Sequence, residues 1–239
     1  MIGVVVGLAR SGTVTEEKKG GGLMFYEVEE TTTFNPNAKG TLVTTGGGGE
    51  LDKAASDSVT IAYTASKKFM RKMGDSYLEK AQLHINLVST QGAQKMKECF
   101  RRNMSIAVQE GEGRDAERLG SEGVERTRRD GFGKSGPSGA LAEAIAFISI
   151  ARGDKPRAKC AITGQLTIKG FVLPVGSIAE KTQAAMKGKF TTMVMPAGNK
   201  SDFESLPEGG RIGITPKFVS RLKEAVLFCF PMPVRSVGE

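Results

Sequence analysis

Lys134-Ser135-Gly136-Pro137-Ser138-Gly139-Ala140 opens, and Pro174-Val175-Gly176-Ser177-Ile178-Ala179-Glu180-Lys181 closes, the stretch that decides the reading of this chain. Between them lie Ala140 to Ala151, dense in Ala, Ile, Leu and Phe, and the turn Ile162-Thr163-Gly164-Gln165. The first reads as a helix buried nearly all round, and Ile178 to Lys187, stopped by Gly188, as a second helix. One hydroxyl therefore starts one helix and one amine sits near the start of another, the minimum pair for a serine nucleophile activated by a lysine.

Gly136 and Gly139 strip side chains from both flanks of Ser138, and Pro137 stiffens the approach. The following helix would aim free N–H groups at an oxyanion formed beside the hydroxyl. The alternative is a plain turn with Ser138 as N-cap, a common use of serine. Lys181 falls among Val175, Ile178 and Ala184 in a first helical turn. An apolar wall and a positive helix end both lower an amine's pKa, so Lys181 could take the hydroxyl proton near neutral pH. The alternative is a solvated lysine on a helix face. Thr163 could hold the amine by a hydrogen bond, or serve strand propensity alone.

Working outward, Val4 to Ala9, Leu23 to Glu29 and Thr41 to Thr45 read as three strands, with short links that suggest an antiparallel meander. Gly46 to Gly49 frees the chain to turn, and apolar residues at spacings of three and four predict a helix from Leu51 to Met73, stopped at Gly74. Leu83 to Val88 alternates as a half-buried strand. After the central stretch, Cys160 to Thr163 and Leu166 to Leu173 read as strand and hairpin, Phe190 to Met195 as a strand, and Asn199 to Leu206 as a short helix. Pro216 is expected to open a last amphipathic helix through Phe228. The segment 90–133 is charged and only briefly apolar, and reads as an insertion or mobile loop in an otherwise single domain spanning 1–239.

Composition narrows the chemistry. The chain has 239 residues, 39% hydrophobic and 25% charged, enough for a sizeable core. No run approaches the roughly 18–20 apolar residues of a membrane span. With one histidine and three scattered cysteines, a Cys/His zinc site is nearly excluded, and reduced thiols suggest an intracellular protein. The net charge of +8 invites nucleic acid, but basic residues alternate with acids, tryptophan is absent, and no aromatic platform is evident. Gly131-Phe132-Gly133-Lys134-Ser135 resembles a phosphate-binding loop, yet the glycine required five residues before Gly133 is Arg128.

Taken together these motifs resemble the proteolytic domain of the Lon family of ATP-dependent proteases. Lys134 to Ala140 matches the family's Lys-Asp-Gly-Pro-Ser-Ala-Gly, Ile162 to Gln165 its Met-Thr-Gly-Glu turn, and Leu173 to Lys181 its Leu-Pro-Val-Gly-Gly-Leu-Lys-Glu-Lys segment. The separation from Ser138 to Lys181 is that of the family. Val4 to Ala9 is similar to its Val-Thr-Gly-Leu-Ala opening, and Pro196 to Asp202 to its Pro-Ala-Glu-Asn-Lys-x-Asp loop. Glu27 looks like the glutamate that follows its Gly-Gly turn, and His84 like a histidine of its His-Val-His strand. Ser135, Gln165, Ala179, Ser177 and Arg10 depart from the family's Asp, Glu, Lys, Gly and Trp.

The resemblance implies an α/β fold similar to the second domain of ribosomal protein S5, a mixed sheet with flanking helices. It implies a serine endopeptidase in which Ser138 attacks, Lys181 is general base and then acid, and Thr163 orients Lys181. Pro137, Gly136 and Gly139 shape the loop, Glu27 and His84 are accessory candidates, and neither metal nor bound cofactor enters the chemistry. Its expected partners are unfolded polypeptides, further copies of itself in a hexamer, and an AAA+ ATPase module in cis or trans that alone would use ATP and magnesium. Ile178 and Asp202-Phe203 look more like mitochondrial than bacterial Lon, pointing to the mitochondrial matrix ahead of the cytoplasm. Two other readings stand beside it: an inactive Lon-like scaffold, suggested by Ser135, Gln165 and the insertion, and a basic nucleic-acid-binding domain of S5-like fold.

Overall fold

The computed structural model describes residues 1–11, 20–31, 39–46, 53–89 and 137–230. The expected insertion at 90–133, with Arg101, Arg102, Arg128 and Arg129, lies outside the described residues, as do Lys134, Ser135 and Gly136. Strands β1 (Val4–Ser11), β2 (Gly20–Glu30) and β3 (Thr41–Gly46) precede α1 (Lys53–Lys72), the short α2 (Tyr77–Lys80) and β4 (Gln82–Ser89). Then come α3 (Ala140–Arg152), β5 (Cys160–Ile162), the hairpin of β6 (Gln165–Leu166) and β7 (Val172–Leu173), and α4 (Ile178–Lys187). β8 (Thr192–Pro196), α5 (Lys200–Glu204), β9 (Thr215–Val219) and α6 (Leu222–Cys229) complete the described chain.

Seven strands form one mixed sheet in the order β3-β4-β2-β1-β5-β8-β9. β1 runs antiparallel to β2 and parallel to β5, with Val6 opposite Ala161 and Gly7 opposite Ile162. The first three strands are not a meander. β4 runs antiparallel to β2 and parallel to β3, so it separates them, and α1 becomes the crossover between two parallel neighbours. A parallel pair needs such a crossover, and a 20-residue helix supplies it. The second correction is at the C-terminus. Thr215–Val219 is a strand parallel to β8 and the helix starts only at Leu222. β9 is the outermost strand, where a proline's missing N–H need not leave a ladder bond unmade, so Pro216 is tolerated there.

Two apolar layers sandwich this sheet, and strict alternation along the strands assigns each residue to one of them. Met24, Tyr26 and Val28 pack into the layer that holds α1 and α3. Leu23 and Phe25 pack into the layer that holds α4 and Phe203. A one-residue slip of β2 would exchange the two sets, so burial on both faces fixes the register. α3 needs no polar face because nearly all of its residues from Ala140 to Ser149 are buried between the sheet and α1. Each fully buried large side chain there, such as Phe147 or Ile145, contributes about 2 kcal/mol. Gly7 is required by this packing: a Cβ would collide with the Tyr26 ring.

Candidate active site

α3 starts where β5 ends. Its N-cap is Gly139, in helical backbone, and no side chain caps it. Ser138 is therefore not the capping serine that a plain turn would make it. Its carbonyl, instead, is held: the Gly164 N–H donates to Ser138 O at 2.9 Å and the Thr163 hydroxyl donates to the same oxygen at 3.3 Å. In return the Leu141 N–H donates to Gly164 O at 3.1 Å. These bonds stitch the serine loop to the end of β5 and leave the half-buried Ser138 hydroxyl uncommitted among the described residues. Gly164 permits the approach, since a Cβ would lie 3.1 Å from both the Leu141 and Val172 side chains.

Thr163 differs from expectation in one respect. It is fully buried, but its hydroxyl bonds to the Ser138 carbonyl and not to the Lys181 amine. It thus positions the serine loop. Proximity decides this: Thr163 directly follows β5, whose parallel neighbour β8 takes the Thr163 N–H at Val194 O, 2.9 Å away.

Lys181 enters from the other face of the sheet. α4 packs its Ile178, Ala184 and Ala185 into the second apolar layer. Its N–H makes the first helical bond, to Ser177 O at 3.0 Å. The side chain is only 2% exposed. Burial pulls its pKa down from 10.5 to about 8, against the opposing pull of the Glu180 carboxylate. No carboxylate pairs with the amine among the described residues, and amine and Ser138 hydroxyl are not hydrogen-bonded to each other. Catalytic bonds commonly close only when substrate is present. Burial depends on Gly21 at the start of β2, where a Cβ would run into the Glu180 carbonyl and lie 3.1 Å from the Ala184 Cβ.

The approach to α4 is fixed by a residue whose role the sequence did not announce. Asn199, buried after β8, accepts from the Val175 N–H at 2.9 Å and donates to Val175 O at 2.8 Å, so its amide acts as a short strand partner for Pro174-Val175. The amide also donates to Asp202 at 2.7 Å. The only signal was the loop Pro196 to Asp202, read as a motif without a task. Ser177, immediately before α4, has φ 62° and ψ 42°, a left-handed conformation that costs a side chain about 1 kcal/mol. Ser177→Gly should therefore raise stability by up to about 1 kcal/mol, read as a shift of the urea midpoint with unchanged slope. A lower midpoint would show that the serine makes an interaction worth more than the strain.

Pro137 and Gly139 flank Ser138 as expected. Glu27 and His84 are not brought to it. Thr163 follows the residue paired with Gly7, whereas Glu27 pairs with Val4, about 13 Å back along the strands. Glu27 accepts from the Asn86 amide at 3.2 Å, and His84 meets the Thr45 hydroxyl at 2.7 Å. Both therefore belong to a polar strip across β2, β4 and β3.

The comparisons with known proteins identify the class to which this mixed α/β domain belongs. The family model described as the Lon protease (S16) C-terminal proteolytic domain matches residues 96–230, more than half of the chain. The chain belongs to this family, and its fold is the α/β proteolytic domain of Lon. The mitochondrial Lon protease homolog of Ostreococcus lucimarinus is 30% identical over 224 residues, covering 93% of this chain and 18% of that protein. That of Homo sapiens is 29% identical over 233 residues, covering 96% and 19%. Lon protease 2 of Borreliella burgdorferi is 44% identical over 91 residues, covering 38% and 11%. The chain thus spans less than a fifth of the length of these relatives. No helix among the described residues is long and apolar enough to cross a membrane.

Proposed function

We propose that the chain is a serine endopeptidase domain in which Ser138 and Lys181 form the catalytic dyad. The observation that carries this reading is the Lys181 amine, buried with no salt-bridge partner among the described residues and lowered to about 8 by that burial, in a chain whose Ser138 hydroxyl is spared from helix capping. The neutral amine takes the Ser138 proton as Oγ attacks the peptide carbonyl. The ammonium then returns that proton to the leaving amine, and water hydrolyses the acyl-enzyme by the same route. Ala140 and Leu141 already donate to Pro137 O and Gly164 O, so the N–H groups of Ser138 and Gly139 are the donors for the oxyanion. Both proton transfer and attack come from side chains, and the step as drawn needs no metal or cofactor. Unfolded polypeptides are the substrate class. Their delivery falls to an AAA+ ATPase module in cis or trans, the site of any ATP and magnesium, in a hexameric assembly within the mitochondrial matrix.

The test is cleavage of an unstructured fluorogenic peptide at high protein concentration. Ser138→Ala should lose about 10³-fold or more in kcat/KM with an unchanged circular dichroism spectrum. Activity that survives the substitution would remove Ser138 as nucleophile. A second reading, an inactive scaffold domain, is favoured by the open contact between hydroxyl and amine. It predicts no cleavage by the native chain under any assembly condition, and no phosphonylation of Ser138 by a serine-directed phosphonate.

A further inference from the structure

The hairpin of β6 and β7 has one face in the core: Leu166 pairs with Val172, and both are buried. Alternation turns Phe171 outward, where it is 40% exposed, and Ile168 in the turn is 49% exposed. The tip is fixed by its own hydrogen bonds. The Gly170 N–H donates to Thr167 O at 2.8 Å, the Thr167 N–H to Phe171 O at 3.0 Å, and the Phe171 N–H to the Thr167 hydroxyl at 3.1 Å. The root is pinned just past the end of β9. There the Val172 N–H donates to Ser220 O and the Leu222 N–H to Gly170 O, both at 2.9 Å. Cations flank this apolar knob: exposed Lys169 in the turn, and the Arg221 guanidinium 3.7 Å over the Phe171 ring.

Near the start of β9 lies the converse surface. A cavity of about 410 Å³ is lined by apolar Phe203, Ile214 and Pro216, and by Ile212, which is 66% exposed. Glu204 and Glu208 add carboxylates to it. Glu204 is shared with Lys200 at 3.8 Å, and Glu208 has no ion pair among the described residues. Arg211 also lines the cavity, its guanidinium 6.0 Å from the Phe203 ring.

We propose that the β6–β7 hairpin of one copy docks in this cavity on a second copy of the chain. Phe171 and Ile168 meet Ile212 and Ile214, while Lys169 and Arg221 meet Glu208 and Glu204. Pro216 and Ser220 lie about 13 Å apart along the strand. With the hairpin pinned at Ser220, one copy cannot fill its own cavity. β9 is the outermost strand, so both of its ends are open to a neighbour among the described residues. Knob and hole are different surfaces, and the contact is therefore heterologous. Each copy gives one and takes one, and successive copies build a ring or a filament. A tip already fixed loses little freedom on docking, and a large apolar side chain entering a desolvated pocket carries much of such a contact. This docking rests on the assembly of copies proposed above and supplies its contact; the peptidase chemistry does not enter.

Sedimentation velocity of the full chain, run over a range of concentrations, reads the association directly. The parent should associate reversibly. Phe171→Ser and Ile212→Asp, both at exposed positions, should each raise the dissociation constant about 30-fold or more, with circular dichroism unchanged. An equimolar mixture of the two variants keeps one intact hairpin and one intact cavity, and should form dimers and nothing larger. Glu208→Lys alone should weaken association, and adding Lys169→Glu to the same chain should restore it. A parent that stays monomeric at every concentration would overturn the contact together with the assembly. Assembly that persists in both single variants would overturn the contact alone.

Discussion

Lys181→Met is expected to cut peptide cleavage by about 10²–10⁴-fold, the usual contribution of a general base, while making the chain harder to unfold at pH 7. The two effects share one cause. In the unfolded chain the amine keeps its proton up to about 10.5, but in the folded chain it releases it near 8. Between those values the unfolded state binds more protons, so stability rises with pH across that window and the cost is fully present below it. At about 1.4 kcal/mol per unit the cost is roughly 3 kcal/mol at pH 7. Methionine, a side chain of similar length with no charge, fills the buried position without it. Urea unfolding of parent and variant at pH 7, 9 and 10.5 should show a stability gap that shrinks as pH rises. A gap that stays constant would mean that the amine is charged throughout and cannot act as the base.

Gly21→Ala should disturb the same amine from outside the site. The new methyl meets the Glu180 carbonyl, a backbone group that cannot swing away. The first turn of α4 must shift from β2, admitting water beside Lys181. Overpacking of this kind costs about 1–3 kcal/mol in stability. The more specific result lies in the pH profile. The acid limb of kcat/KM, expected near 8 for the parent, should move up toward the ordinary lysine value. Each unit of that movement lowers activity at pH 7 about tenfold. Profiles recorded from pH 6 to 10 decide the point. An unmoved acid limb in a folded Gly21→Ala protein would show that the β2 contact does not keep the amine dry.

Local chemistry made most elements legible from the sequence. The expected Ile178–Lys187 helix and the observed α4 coincide, and Ala140 to Ala151 differs from α3 by one residue. Both carry strong end signals, a glycine stop in each case. Strand order was not legible, because nothing near Thr41 states that β4 rather than β2 will be its neighbour. That pairing is decided by α1 crossing the sheet. Pro216 misled because Val219, Leu222, Ala225 and Val226 continue a helical spacing through what is partly an edge strand. At the site, Ser138 and Lys181 stood out by motif. The Asn199 clamp and the Gly21 contact did not, since each exists only between segments distant in sequence.

Ser138 and Lys181 also belong to different halves of the interior. α3 is anchored in the layer with α1, and α4 in the layer with Phe203, on opposite faces of the sheet. The proposed nucleophile and base can meet only when both layers have formed against the same strands. A chain emerging from synthesis, or one partly melted on either face, carries both residues but no working pair. With the proposed dyad, misfolded copies of the domain are thereby disarmed by architecture alone.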